Sequence, residues 1–181
     1  MEDKMIRIAS VVNDSIVDGP GLRFVVFTQG CLFGCPNCHN EATWDLKGGY
    51  LMNMDDIVTK WRRNPLIEGI TLSGGDPLLQ AEQSLYLLRK AHETGLNVVV
   101  YSGDNYEQLL KSSNNFIVSI INEADYLIDG PYIDSQRDLT LLYRGSKNQR
   151  FINLSETRRS GHIVLMNEGN KLKTVSKKLP D

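Results

Sequence analysis

The stretch "LRFVVFTQGCLFGCPNCHN" (residues 22–40) carries the main organising signal of this chain. Its first part, residues 22–29, is a short apolar, β-rich run between two glycines, which predicts a buried β-strand. Its second part holds all three cysteines of the 181-residue chain, Cys31, Cys35 and Cys38. The sequence therefore predicts a strand that ends directly in a thiol-rich loop.

The same order of strand, loop and helix recurs along the chain. The alternation indicates parallel βαβ units, and the strands are too few to close an eightfold barrel of about 250 residues. We therefore expect an α/β fold of the incomplete, open (β/α) barrel type, with a doubly wound open sheet as the alternative. Besides residues 22–29, the predicted strands are 66–72, 96–101, 126–130 and, more weakly, 151–154 and 162–166.

Helices are predicted between these strands. Asn53 is suited to cap a helix over about residues 54–63. A longer helix is expected to run to about Thr94, where Gly95 suits the position just after the helix end. Residues 105–122 are expected to be helical with one break.

Two stretches near the end of the sequence are predicted to lie outside regular elements. Residues 155–161, "SETRRSG", have the composition of an exposed loop. The polar, lysine-rich sequence from about residue 168 is predicted to be a surface tail with at most a short strand. Because no repeat and no internal boundary is evident, residues 1–181 are predicted to form a single domain.

Composition and charge narrow the class of protein. The formal net charge is −2, and hydrophobic and charged residues make up 41% and 23% of the chain, which is typical of a soluble globular protein. No basic excess indicates a nucleic-acid partner. The sequence also lacks a secretory signal and an apolar run near the roughly 20 residues of a membrane span, so we expect a cytoplasmic protein without a membrane partner.

The spacing C-x-x-x-C-x-x-C favours an iron–sulfur cluster. In the cytosol thiols stay reduced, so three clustered cysteines are more typical of metal binding or catalysis than of disulfides. Three thiolates on one tight loop can each bind a different iron of a 4Fe-4S cluster. The fourth iron is then left open for a substrate.

Three other interpretations of the cysteines remain at this point. A structural zinc site would need a fourth ligand, for which the distant His92 or His162 could serve. The letters "CPNCH" also match covalent c-type haem attachment, and Cys35 with Cys38 matches a redox pair. Both of these last two leave Cys31 unused.

A second loop, "SGGDP" (residues 73–77), follows the next predicted strand. Gly74 and Gly75 carry no Cβ, so the backbone can approach a ligand closely. Ligands of parallel sheets gather at the carboxyl ends of strands, which places this loop beside the cysteine loop. Alternatively the stretch only starts a helix, with Asp76 as the N-cap and Pro77 in the first turn.

The two loops together resemble the radical S-adenosylmethionine (SAM) superfamily. The resemblance implies a 4Fe-4S cluster whose open iron is chelated by SAM. An electron from the cluster would cleave SAM into methionine and a 5′-deoxyadenosyl radical. More specifically, the chain resembles the activating proteins of the anaerobic, class III ribonucleoside-triphosphate reductase in "VDGPGLRFVVFTQGC" (17–31), "CPNCHN" (35–40), "TLSGGDPL" (71–78), "YLIDGPYI" (126–133) and "RGSKNQR" (144–150).

The resemblance also implies roles for individual residues. No side chain beyond the cluster and SAM is expected to be catalytic, and Arg144 and Arg150 are expected at the surface or at a partner. Ser102 and Asp129 could equally cap turns. The implied metal ligands are Cys31, Cys35 and Cys38, and the implied SAM-binding residues are Asn37, Cys38, His39, Gly74, Gly75, Asp76, Ser102 and Asp129.

The implied task is to form a glycyl radical on the large subunit of the reductase. Because the chain has no cysteines for a second cluster, the resemblance implies an external electron donor, a reduced flavodoxin-type carrier. One alternative is an activator of another glycyl-radical enzyme, such as pyruvate formate-lyase. An alternative of a different class is a non-catalytic zinc-binding module.

Overall fold

The predicted strands pair side by side at the centre of one sheet. The computed structural model describes residues 4–166 and 172–178. The four central strands β2, β4, β5 and β6 are parallel, as the βαβ pattern predicts, and the outer pairs are antiparallel. The strands are β1 Met5–Ser15, β2 Arg23–Thr28, β3 Tyr50–Asn53, β4 Gly69–Gly74, β5 Asn97–Tyr101, β6 Tyr126–Asp129, β7 Arg150–Asn153, β8 His162–Met166 and β9 Leu172–Lys178.

The sheet is open, with the order β3-β1-β2-β4-β5-β6-β7-β8-β9. The helices are α1 Met54–Trp61, α2 Ala81–Glu93, α3 Tyr106–Leu109, α4 Asn115–Glu123 and α5 Leu154–Ser160. All five helices contribute to one apolar core with alternate residues of the central strands, such as Ile70 and Val98. Residues on the other face, among them Ser73 and Tyr101, line a cavity.

All five helices pack on one face of the sheet. This arrangement distinguishes the open (β/α) barrel from the doubly wound sheet. A doubly wound sheet carries helices on both faces, whereas a (β/α) barrel keeps them outside and leaves the inner face to the site. The prediction of an incomplete, open (β/α) barrel is therefore confirmed. Within the described residues, every helix is too short or too polar to cross a membrane.

Most helices follow the predicted pattern. Asn53 caps α1 by accepting a hydrogen bond from the Asp55 backbone at 2.8 Å. Gly95 follows α2 with a φ of 76°, a conformation that favours glycine. The expected break within residues 105–122 separates α3 from α4.

The prediction of an exposed loop at residues 155–161 is wrong. This stretch forms most of α5, which Asn153 caps by accepting a hydrogen bond from the Glu156 backbone at 2.9 Å. Leu154 at its start joins the apolar core, and the rest of the helix docks through polar atoms. The Arg158 guanidinium donates to the Ile121 carbonyl of α4 and to the carbonyl of Ala124, the residue that follows α4. Such a polar contact leaves no apolar periodicity in the sequence from which a helix could be predicted.

Both outer parts of the sheet extend beyond the predicted strands. The sequence pattern did not identify β1 or β3, which pair antiparallel on one side of the central strands. The predicted tail from about residue 168 lies partly outside the described residues. Its described part, β9, pairs antiparallel with β8.

Candidate functional site

A cavity of about 620 Å³ opens at the carboxyl ends of the parallel strands. The loops that follow β2, β4, β5 and β6 all contribute to its wall. The structure therefore brings the cysteine loop and the glycine loop to one place, as the strand order requires. The residues predicted for the site that line this cavity are Cys31, Cys35, Cys38, His39, Gly74, Gly75 and Ser102.

The cysteine loop presents three free, half-buried thiols to the cavity. Its chain turns through positive φ at Gly34 and Asn37, with values of 58° and 57°. The Cys38 backbone donates to the Cys35 carbonyl at 3.1 Å, which closes the turn between these two thiols. Burial raises the pKa of the Cys31 thiol, and a bound metal would have to displace its proton.

A zinc ion and a 4Fe-4S cluster require different arrangements of their ligands. Within residues 4–166, no three His, Cys, Asp or Glu side chains gather around a point where one metal ion could bind. Zinc needs such converging ligands, whereas each thiolate of a 4Fe-4S cluster binds a separate iron. The proposed zinc ligands do not line the cavity either: His92 bonds to Asp125 at 2.9 Å and His162 to the Ser160 carbonyl at 2.9 Å.

The glycine loop is held against the end of β2 by its backbone. Gly75 N–H donates to the Thr28 carbonyl at 2.9 Å, and Asp76 N–H donates to the Gly30 carbonyl at 2.8 Å. A Cβ on Gly75 would lie 2.1 Å from the Gly30 oxygen, and one on Gly74 would lie 2.4 Å from the Thr28 nitrogen. The two glycines therefore let one backbone approach another, and this contact fixes the glycine loop beside the cysteine loop.

Asp76 acts as a helix cap in this structure. Its side chain, only 8% exposed, accepts a hydrogen bond from the Leu78 backbone at 3.0 Å. Burial raises the pKa of its carboxyl to about 6. Asp76 does not line the cavity, which matches the alternative that the stretch starts a helix.

Ser102 and Asp129 differ in their relation to the cavity. Ser102 lines it and also caps a turn, because its hydroxyl accepts from the Asp104 backbone at 3.1 Å. The fully buried Asp129 does not line it and faces the helices. There its carboxylate accepts hydrogen bonds from the Tyr106 backbone at 2.7 Å and from Arg150 Nε at 3.0 Å. The structure therefore does not bring Asp129 into the site.

The two implied SAM-binding residues that flank Cys38 also separate. His39 lines the cavity, with its ring centroid 5.3 Å from that of Tyr132. The Asn37 side chain instead donates to Asp134 Oδ2 at 2.9 Å, and Asn37 is not a lining residue. Sequence reasoning had no signal for these partners, which lie almost a hundred residues further along the chain.

Sequence reasoning also missed part of the cavity wall. Arg144, expected at the surface, lines the cavity together with Tyr101 and Tyr143. Its Nε is buried and has no hydrogen-bond partner among the residues that the structure describes. The Tyr101 hydroxyl donates to the Tyr143 carbonyl at 2.6 Å. Arg150, by contrast, is part of an ion-pair network with Asp129 and does not line the cavity.

Comparison with known proteins gives consistent matches. The family described as "4Fe-4S single cluster domain" matches residues 17–152. The anaerobic ribonucleoside-triphosphate reductase-activating protein of Salmonella typhi is 34% identical over 142 residues, covering 74% of this chain and 90% of the relative. The pyruvate formate-lyase-activating enzyme of Clostridium pasteurianum is 37% identical over 130 residues, covering 67% of this chain and 55% of the relative. Among solved structures, QueE from Escherichia coli matches with a TM-score of 0.43 and 14% identity over 55% of this chain and 53% of that one.

Proposed function

This chain belongs to the family of anaerobic ribonucleoside-triphosphate reductase-activating proteins, and we propose that it is a radical SAM enzyme that performs this activation. When bound, the cluster would supply the one electron that cleaves SAM into methionine and a 5′-deoxyadenosyl radical. The reductase would then lose a hydrogen atom from one backbone glycine to this radical, with a glycyl radical and 5′-deoxyadenosine as products. The observation that carries the proposal is three thiols on one cavity, beside a glycine loop, in a chain without a fourth cysteine.

The cysteine loop would hold the cofactor. Cys31, Cys35 and Cys38 would each bind one iron of a 4Fe-4S cluster, which supplies the electron when it is bound. The missing fourth cysteine leaves one iron for the amino and carboxylate groups of SAM. Gly74 and Gly75 line the same cavity and would present backbone groups to the methionyl ammonium.

The remaining residues would bind and orient SAM. His39 and Ser102 border the cavity and would contact it directly, whereas Asn37, Asp76 and Asp129 would support the wall from behind. No side chain needs to act as an acid or base, because hydrogen-atom abstraction is homolytic. The chain's own part is to position the reactants and to exclude water.

The open side of the barrel suits a protein substrate. The large subunit of the reductase must bring a backbone glycine to the 5′ carbon, and a closed barrel would obstruct a protein segment. Large apolar side chains lie exposed near the mouth, including Val17 and Leu139, which also line the cavity. Such exposed apolar surface is typical of interaction sites. We place the partner's docking surface there.

Docking can be separated from chemistry by one pair of variants. Ile16→Asp and Leu142→Asp change exposed apolar neighbours of Val17 and Tyr143 that do not line the cavity. They are expected to lower glycyl-radical formation on the reductase while cleavage of free SAM continues. Thr59→Asp is the matched control, since Thr59 lies exposed on α1, on the helix face of the sheet. Equal loss of both activities in these two variants would count against this surface.

The proposal extends to the setting of the protein. Residues 1–181 would act as one radical SAM domain in the cytoplasm, with the polar sequence from about residue 168 at the surface. The electron would come from a reduced flavodoxin-type carrier, since the chain has no cysteines for a second cluster. With a net charge of −2, we propose no nucleic-acid partner and no membrane partner.

Anaerobic reconstitution tests the proposal. The chain is expected to bind four irons and four sulfides and, with dithionite, to release 5′-deoxyadenosine from SAM. Added reductase should then show a glycyl radical by electron paramagnetic resonance. One zinc per chain, without iron and without SAM cleavage, would instead support a non-catalytic zinc module.

A second candidate substrate is pyruvate formate-lyase. The 37% identity to an activating enzyme of that lyase favours including it. The match to the reductase activators favours the reductase, because it covers 90% of their length rather than 55%. Parallel incubation with both partners separates the two, since the glycyl radical should form on the reductase.

A further inference from the structure

Two stretches that the sequence singled out fold into one hydrogen-bonded unit beside the cavity. We call residues 130–134 and 144–149 the brace. Gln149 joins its two halves, because its side chain accepts from the Gly145 backbone at 2.9 Å and donates to the Gly130 carbonyl at 3.0 Å. Further bonds within the brace join Asn148 to the Pro131 carbonyl at 2.7 Å and the Ile133 backbone to Ser146 at 3.2 Å.

The brace contacts the cysteine loop through two side chains. Asp134 Oδ2 accepts a hydrogen bond from Asn37 Nδ2 at 2.9 Å. The Tyr132 hydroxyl donates to Asp134 Oδ1, also at 2.9 Å, and the Tyr132 ring packs against His39 with centroids 5.3 Å apart. Asn37 and His39 are the neighbours of Cys38, so the brace contacts both sides of one predicted ligand.

The cysteine loop has few other anchors at this point. Within the described part of the chain, the bond from Asn37 to Asp134 is the one hydrogen bond that joins residues 32–39 to a distant segment. The bond between Cys38 and Cys35 stays inside the loop. Directly after this stretch, Asn40 Nδ2 donates to the Gly74 carbonyl at 3.4 Å, so the brace and the glycine loop together place this half of the loop.

We infer that Tyr132 and Asp134 are positioning residues that hold the half of the cysteine loop bearing Cys35 and Cys38. Neither side chain needs to touch a thiol, since both act through Asn37 and His39. Partners behind metal ligands commonly fix ligand orientation in this way. We call these contacts between the brace and the cysteine loop the tether. The tether involves only residues of this chain, whereas its effect on a bound cluster rests on the proposed function.

Amide hydrogen exchange on the full, metal-free chain tests the tether. Asp134→Ala and Tyr132→Ala are expected to speed exchange at residues 35–40 about fivefold, because the loop opens more often. Ser135→Ala, which changes the exposed neighbour of Asp134, is the matched control and should leave these rates unchanged. Tyr132→Phe keeps the ring and should give a smaller increase.

A double variant checks that the two side chains act together. Asn37→Ala added to Asp134→Ala should cause no further increase, since both changes remove the same bond. The midpoint of thermal unfolding confirms that the variants remain folded. Wild-type exchange rates in both Asp134→Ala and Tyr132→Ala would overturn the inference.

The reconstituted chain supplies a second readout. Iron transfer to a chelator under anaerobic conditions should be about fivefold faster in Asp134→Ala and unchanged in Ser135→Ala. A chain that takes up no cluster would contradict the proposed function but would leave the exchange result standing. A normal cluster together with unchanged exchange would overturn the tether alone.

Discussion

The two loops that meet at the cavity are held in opposite ways. The glycine loop is fixed by its backbone against β2, with Cβ positions that other backbone atoms already fill. The cysteine loop carries half-buried thiols, turns through two left-handed residues and is tethered through side chains, those of Asn37, His39 and Asn40. The rigid glycine loop thus lies beside a cysteine loop that is held less firmly. Changes in the first should mainly affect folding, and changes in the second should mainly affect cofactor binding.

The largest effect on stability is expected from Gly75→Ala. The new methyl group would lie 2.1 Å from the Gly30 carbonyl oxygen, so one backbone segment would have to move. We expect the free energy of unfolding to fall by about 3 kcal/mol or more. Urea unfolding of the metal-free chain measures it. A loss below about 1 kcal/mol would mean that the glycine loop is not rigid.

The next effect concerns the buried carboxyl of Asp76. Its pKa in the folded chain, about 6, lies above the ordinary value of 3.8, so its contribution to stability is present below pH 3.8 and is lost as the pH rises through 6. Asp76→Asn removes the charge and keeps an oxygen for the Leu78 backbone. The variant should therefore gain about 2 kcal/mol relative to wild type between pH 4 and pH 8. Urea unfolding at both pH values measures this, and an unchanged difference would contradict it.

A smaller effect is expected from Gly34→Ala in the cysteine loop. Apart from the flanking residues, no atom of the described chain lies within 4 Å of the new Cβ, so the cost comes from the positive φ of 58°. That cost is about 1 kcal/mol. The variant is the counterpart of Gly75→Ala, and the same unfolding measurement compares them. Equal losses of unfolding free energy in Gly34→Ala and Gly75→Ala would contradict the difference in rigidity between the two loops.

The smallest effect on stability is expected from Cys35→Ser. The thiol is free and half-buried, so the metal-free chain should change by no more than about 0.5 kcal/mol. Iron content after reconstitution should nevertheless fall sharply, because one ligand is lost. Iron analysis and unfolding of the same preparation separate these outcomes. Retention of a full cluster would show that Cys35 is not a ligand.

The contrast also explains which features the sequence could predict. The central strands are continuous apolar runs, and the cap at Asn53 is local, so neighbouring residues suffice to identify them. The strands β1 and β3 have a weaker pattern of their own and pair at the side of the sheet. Residues 155–160 of α5 were missed because, beyond Leu154 in the core, Arg158 docks the helix through the Ile121 and Ala124 carbonyls.

The same limit applies to the site. The sequence predicted that the cysteines and glycines lie close together, because the order of the strands fixes where their loops lie. The orientation of single side chains depended on partners far along the chain. Asp129 turns away from the cavity toward Arg150, and Asn37 turns toward Asp134, at sequence separations of 21 and 97 residues. No local pattern contains this information.

The helices cover only one face of the sheet, and this has a consequence for the timing of the reaction. The open side of the cavity would be closed only when another protein docks against it. If the reductase is that molecule, the highly reactive carbon radical would be sheltered only while its intended target is docked. Docking and radical formation would then be coupled. The open barrel would protect the 5′-deoxyadenosyl radical only when the reductase, its substrate, is bound.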